Sequence, residues 1–164
     1  RYFRFRRYRT QLAPRSGSMG YGLPAAVSAK RRYPNRPVIA FAGDGCFMMT
    51  AQELATAVMY RLAIVVIVIN NGMYGTIRMH QERNYPKRAY GVDLVNPDFA
   101  AFARSFGAVG ETIHRTEDFA PAFERALTTG RPAVLELLLD PEVITPTRTM
   151  SEIREEALSR LAQE

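Results

Sequence analysis

The sequence predicts an α/β domain, a doubly wound parallel sheet with helices on both faces. Three observations carry this expectation. Residues 37–42 (PVIAFA) and 63–69 (AIVVIVI) are short, uninterrupted apolar runs, as strands covered on both faces are. Segments with apolar residues at helical spacing lie between and after such runs. The order is therefore βαβα, and right-handed crossovers make successive strands parallel.

In chain order, residues 23–32 read as a helix despite Pro24, because a first turn tolerates proline. The run 37–42 ends at Gly43 and reads as a buried strand. Thr50, with Glu53 three residues on, has the spacing of a capping box. Leu54, Ala55, Val58, Met59 and Leu62 then share one face of the helix so begun. The run 63–69, rich in β-branched residues, is the central strand. Asn96-Pro97 opens another helix, with Phe99, Phe102, Ala103 and Phe106 on one side and Gly107 as its stop. A weaker strand at 109–113 follows. Thr116 is expected to cap the next helix, which has Glu117 and Asp118 in its first turn and ends at Gly130. Residues 132–139 supply the last strand, and 149 to about 161 a terminal helix. The expected organisation is a basic arm at 1–16, a body at 17–147 and a C-terminal helix at 148–164, with no repeat or linker.

A chain of 164 residues holds one domain with a full core, and 47% apolar with 23% charged residues suits a globular protein. The single cysteine, Cys46, excludes an internal disulfide and fits a reducing compartment, so a cytoplasmic location is expected. The longest apolar run, residues 62–69, is eight residues, too short to span a bilayer, and no signal-peptide pattern opens the chain. Because Arg1 rather than Met comes first, a segment upstream is expected to have been removed.

The net charge of +6 is concentrated rather than spread. Six arginines fall within residues 1–15, and setting them aside leaves 16 basic against 16 acidic residues. Tyr2, Phe3, Phe5 and Tyr8 interleave this arm, as aromatics do on single-strand binders. The plainer expectation is an arm packed on other protein, with nucleic acid not the partner. Within residues 1–52 the only carboxylate is Asp44, which suits an anionic ligand held through a metal.

Ligands of open α/β sheets bind beyond the carboxyl ends of the strands. Gly43-Asp44-Gly45 ends the first strong strand and Asn70-Asn71 the second. Neighbouring parallel strands lie about 4.8 Å apart, so Asp44 and Asn71 can converge on one ion. A carboxylate and an amide oxygen, without sulfur or imidazole, disfavour zinc. Mg²⁺ fits, since it takes one or two protein carboxylates and leaves positions for phosphate and water. The flanking glycines let backbone N–H groups approach a diphosphate, and the helix after Thr50 aims its positive end there. A P-loop is absent, and Gly17, Gly20 and Gly22 run in the wrong order for a dinucleotide fingerprint.

Gly43-Asp44-Gly45, 24 residues, then Asn70-Asn71, resembles the signature of thiamine-diphosphate-dependent enzymes. Residues 16–30 (SGSMGYGLPAAVSAK) resemble the matching stretch of acetolactate synthases and benzoylformate decarboxylases. The resemblance implies thiamine diphosphate and Mg²⁺ as cofactors and a 2-keto acid as substrate, with decarboxylation or carboligation as the reaction. It implies that Asp44, the Asn71 side chain and the Met73 carbonyl ligate Mg²⁺. Gly43, Gly45 and Cys46 would lie along the diphosphate, the last two through backbone N–H groups. Cys46 stands where the family often has serine. The Gly17 carbonyl would bond the pyrimidine amino group, and Met19 would support the bent cofactor from below.

Domains of this family begin with a strand and a helix upstream of the position of Tyr2, so the resemblance implies a domain truncated at its N-terminus. No catalytic residue is assigned within this chain. The resemblance places the activating glutamate in a pyrimidine-binding domain outside it, so the chain alone is expected to be inactive and to work in a homo-oligomer. The absence of tryptophan departs from acetolactate synthases, and Asn71-Gly72-Met73-Tyr74-Gly75-Thr76-Ile77-Arg78 is closer to benzoylformate decarboxylases. A cofactor-binding module without turnover is a second reading, and a nucleic-acid binder a third. His80, Gln81 and Glu82 are expected on a solvated helix or loop, His114 in a structural or exposed place, and Arg78 lying over apolar surface.

Overall fold

The computed structural model describes Arg4 and residues 6–163. Arg1, Tyr2, Phe3 and Phe5 of the basic arm lie outside the described residues. Four strands form one sheet: β1 (Ile39–Gly43), β2 (Val65–Asn70), β3 (Val109–Ile113) and β4 (Ala133–Leu138). Their order is β1-β2-β4-β3 and every pairing is parallel. The helices are α1 (Gly22–Arg32), α2 (Asp44–Met48), α3 (Leu54–Met59), α4 (Gly75–Asn84), α5 (Phe99–Ser105), α6 (Thr116–Thr128) and α7 (Met150–Leu161). None of them is long and apolar enough to cross a membrane.

The central strands β2 and β4 are covered on both faces, as the apolar run of β2 predicts, but β1 departs from that expectation. On one face Leu23, Phe47, Leu54, Ala57, Phe99 and Ala103 close over Ala40, Ala42, Val66, Val68 and Val134. Phe47 meets Phe99 edge-on at 5.4 Å between ring centroids, a favourable aromatic geometry. On the other, Ala122 and Ala126 of α6 cover Val65, Ile67, Ala133 and Leu135. β1 is covered on one side only: Phe41 is 70% exposed. At β3, Gly110 lets α5 ride close, because a Cβ there would run into the Ala100 carbonyl.

Local capping differs from the expectation at three places. At α5 the cap is Asp98 rather than Asn96-Pro97, its Oδ1 accepting from Ala101 N at 2.7 Å. The chain enters a helix directly at Asp44, not at Thr50, and Ala51–Glu53 forms a 3₁₀ turn between α2 and α3. Thr50 therefore makes no capping box. Its hydroxyl donates to the Gly20 carbonyl at 2.8 Å, and Glu53 instead accepts from the Thr56 hydroxyl at 2.9 Å. Thr116 is the first residue of α6 rather than its cap, and Arg115 in the cap position gives no side-chain bond. The capping box of this fold is at α7, where Thr149 Oγ1 accepts from Glu152 N at 3.1 Å and Glu152 Oε2 accepts from Thr149 N at 2.7 Å.

Glu82 overturns the expectation of a solvated triplet. It lies on α4, 2% exposed, and accepts from Arg154 Nη2 of α7 at 2.7 Å and from Lys87 N at 3.0 Å. The bond from Arg154 holds its carboxyl below the usual glutamate range, with the Lys87 amide adding to the effect against the pull of burial. A folded-state value below the unfolded one means stabilisation that is full above the ordinary value of 4.5. That stabilisation is lost as pH falls through the lower folded value. Arg154→Met should therefore cost about 3 kcal/mol at neutral pH by stranding a buried carboxylate. Denaturant melts should show the gap to wild type narrowing as pH falls below 4.5 and Glu82 takes up a proton. A gap independent of pH would deny the pair its role.

Candidate functional site

The parallel register sets Gly43 beside Ile69, so Asp44 and Asn70 follow at the carboxyl ends of adjacent strands. β1 runs into α2 with Gly43 as an extended N-cap (φ −67°, ψ 158°) and Asp44 as the first helical residue. Asp44 is 3% exposed. Its Oδ1 accepts from Gly45 N at 2.8 Å, and its Oδ2 from Gly72 N at 2.9 Å and Asn96 Nδ2 at 2.8 Å. Asn96 Nδ2 also reaches Asn70 Oδ1 at 2.9 Å, and Gly72 N lies 3.1 Å from the same oxygen. Asn70 Nδ2 in turn donates to Glu136 Oε1 at 2.7 Å, and Thr112 donates to Glu136 Oε2 at 3.0 Å. Glu136 is 3% exposed.

Two carboxylates are thus buried on amide and hydroxyl donors. Neither forms an ion pair with a basic side chain among the described residues. Burial of a charge is costly unless it is hydrogen-bonded or neutralised. Asp44 meets that requirement through its three hydrogen bonds and has room for a cation besides, and the donor set fits Mg²⁺. No group of three His, Cys, Asp or Glu side chains gathers among the described residues, so zinc-type coordination is not on offer. One carboxylate with neutral oxygens is what Mg²⁺ takes when phosphate and water complete its shell.

The remaining predicted residues fall around this centre. The Asn71 amide lies over Gly75, where a Cβ would come within 2.9 Å of its nitrogen, and it makes no hydrogen bond among the described residues. Met73 is buried; its carbonyl accepts from Gly75 N at 3.0 Å, and its backbone bridges to Asp93. Gly43 faces open space, since a Cβ there would meet nothing within 4 Å. Cys46 is half-buried against the core. Gly17 (φ +69°) and Met19, 38% exposed, lie in the loop before α1, where Met19 lines a groove with Leu12, Tyr21 and Pro24. Thr50 fastens that loop to the segment after α2 through Gly20. Arg78 reaches Met73 Sδ at 3.8 Å and Asp93 at 3.6 Å, which places it under the loop.

Sequence reasoning placed Asn70 in the strand-end motif without giving it a role, and missed Asn96 and Glu136 as parts of the site. Asn96 is legible only as a helix opener. Glu136, however, is a lone carboxylate within the strand PAVLELLL, and that was a usable signal. Gly45 has a second reason to be glycine, because a Cβ would overlap the Tyr74 ring.

Comparison with known proteins places this geometry. Residues 1–137 match the family model described as "Thiamine pyrophosphate enzyme, C-terminal TPP binding domain". Sulfoacetaldehyde acetyltransferase of Alcaligenes xylosoxydans xylosoxydans is 34% identical over 152 residues, covering 90% of this chain and 25% of the relative. The acetolactate synthase large subunit of Parasynechococcus marenigrum (strain WH8102) is 38% identical over 123 residues, covering 74% and 20%. The structure of the Rhodococcus jostii RHA1 thiamine diphosphate-dependent 4-hydroxybenzoylformate decarboxylase superposes with a TM-score of 0.72 at 35% identity. That match covers 76% of this chain and 24% of the other. The chain spans a quarter or less of the length of these relatives.

The Tyr74 contact yields a direct test. Gly45→Ala should destabilise the fold by about 1–3 kcal/mol, the range for forcing a methyl into a packed site. Combining it with Tyr74→Leu should recover part of that loss, a coupling that thermal melts of the four variants would measure. Strict additivity would mean the ring is not what Gly45 accommodates.

Proposed function

The chain belongs to the thiamine pyrophosphate enzyme family, as its C-terminal TPP-binding domain, and on that footing we propose that it holds the cofactor through Mg²⁺ for turnover of a 2-keto acid. The observation that carries the metal reading is Asp44, buried at the end of β1 with three neutral donors and, among the described residues, no cationic side chain bonded to it. Asp44, the Asn71 amide oxygen and the Met73 carbonyl are the proposed ligands. Asn71 has no competing hydrogen bond among the described residues, and Met73 keeps a second lone pair on its carbonyl. The open space beside Gly43 leaves room for the diphosphate, with the N–H of Cys46 at the start of α2, whereas the Gly45 N–H is held by Asp44 Oδ1 in this structure. When bound, thiamine diphosphate supplies the carbanion-stabilising chemistry that cleaves the bond next to a keto carbon.

This chain's residues bind and orient. Gly17 would hold the pyrimidine amino group by its carbonyl, and Met19, partly exposed in its groove, would bear on the rings. The relatives named as acetolactate synthase and 4-hydroxybenzoylformate decarboxylase support a 2-keto acid, with carboligation or decarboxylation as the outcome. Exposed Ile39 and Phe41 on β1 support an assembly in which further protein, including a second copy, covers this face. The free thiol of Cys46 supports a reducing, cytoplasmic setting.

Asp44→Ala should abolish Mg²⁺-dependent binding of thiamine diphosphate, read by calorimetric titration with circular dichroism to verify the fold. Tight Mg²⁺-dependent binding by that variant would refute the ligand assignment. Met19→Ala should lower turnover of the assembled enzyme on the order of 10²-fold while diphosphate affinity changes little, as misplacement of reacting atoms by roughly 1 Å does. Unchanged turnover would return Met19 to ordinary packing.

A further inference from the structure

The Asp44 carboxylate is held by donors from three segments, and one of them belongs to neither strand-end motif. Gly45 and Gly72 donate through their backbones from the Gly-Asp-Gly and Asn-Asn-Gly turns. The third donor is the side chain of Asn96, 52 residues downstream in the segment leading into α5. Its Nδ2 carries two hydrogens, and the two bonds, 2.8 Å to Asp44 Oδ2 and 2.9 Å to Asn70 Oδ1, use both.

The direction of these bonds is fixed from the far end. Glu136 as a carboxylate only accepts, so the Asn70 amide must turn its nitrogen to Glu136 and its oxygen towards Asn96. Asp44 likewise only accepts, so Asn96 must present its nitrogen between the two oxygens. Neither amide has a second arrangement that keeps every bond. Gly72 N and Asn96 Nδ2 fill Asp44 Oδ2, whereas Oδ1 carries one donor and keeps a lone pair free.

We propose that Asn96 is a positioning residue for the metal site: its side-chain amide, braced by Asn70 and Glu136, locks the Asp44 carboxylate so that Oδ1 presents itself to the cation. This rests on the reading of Asp44 as a Mg²⁺ ligand. A side chain that only fills space at this point stabilises the fold. One that aims a ligand also sets metal affinity, and loss of such a partner costs on the order of 10–100-fold.

The test compares wild type, Asp44→Ala, Asn96→Leu and Asn96→Ser. Mg²⁺ is titrated in the presence of saturating thiamine diphosphate, well below each variant's melting temperature. Asn96→Leu should weaken apparent Mg²⁺ affinity on the order of 10–100-fold. Asn96→Ser, whose hydroxyl serves only one of the two oxygens, should fall between, and it carries the test if the leucine variant does not fold. Mn²⁺ paramagnetic resonance should show a less ordered ion in both variants. If wild type binds Mg²⁺, Asp44→Ala does not, and both Asn96 variants match wild type with only a lower melting temperature, the ligand reading stands and the role of Asn96 falls. If wild type shows no Mg²⁺-dependent binding at all, the ligand reading fails and Asn96 with it.

Discussion

A carboxylate sealed at the end of an edge strand governs how the rest of this molecule is arranged. Asp44 is almost wholly removed from water, yet no basic side chain is bonded to it among the described residues. Hydrogen bonds to an ionised group are worth about twice neutral ones, and losing one from a buried charge costs correspondingly more. Satisfying Asp44 therefore requires that the turn after β2 fold back to present Gly72 N, and that the segment before α5 pass close enough to present Asn96. The first condition follows from β2 lying next to β1 with the crossover returning the chain to the same edge of the sheet, and the second from the path of the chain between α4 and α5. The topology and the buried charge specify each other.

The polar line does not stop at β2. Asp44 follows β1, Asn70 closes β2, Glu136 lies in β4 and Thr112 in β3, so each strand contributes one residue in the order in which the strands lie. Only Asn96 comes from outside. Satisfied networks in a low-dielectric interior are rigid, because displacing one member strands the next. An apolar layer there would fix the spacing of the strand ends but not the rotamer of a particular carboxylate.

What the residues announce in advance is set by periodicity. β2 is legible because a strand covered on both faces must be apolar throughout, and the phenylalanines of α5 because they share one side. α4 gives no such signal: its only buried side chain is Glu82, a carboxylate whose solvation is replaced by Arg154 and the Lys87 amide. Thr50 and Glu53 have capping-box spacing, but the helix had already begun at Asp44, and the Thr50 hydroxyl was taken by Gly20. At the site, Asp44 and Asn71 stand out through their motifs. Asn96 does not, because its role depends on a bond spanning 52 residues that no local pattern encodes.

The loop that bears Asn71 and Met73 is short and anchored at both ends, and this decides how firmly it holds its shape. At its start Asn70 is bonded into the sheet through Glu136. At its finish Gly75 begins α4 at once, so any shift of α4 passes to the Met73 carbonyl. α4 contributes little apolar surface of its own; it is held by α7 through Glu82–Arg154, by Arg160 donating to the Arg83 carbonyl, and by burial of Met150, Ile153 and Ala157. α7 lies beyond residue 137, where the family match ends. Sites hold their geometry when rigid elements flank them. Part of the rigidity of this one is therefore supplied from beyond the matched residues, by a helix that makes no hydrogen bond to the proposed ligands among the described residues.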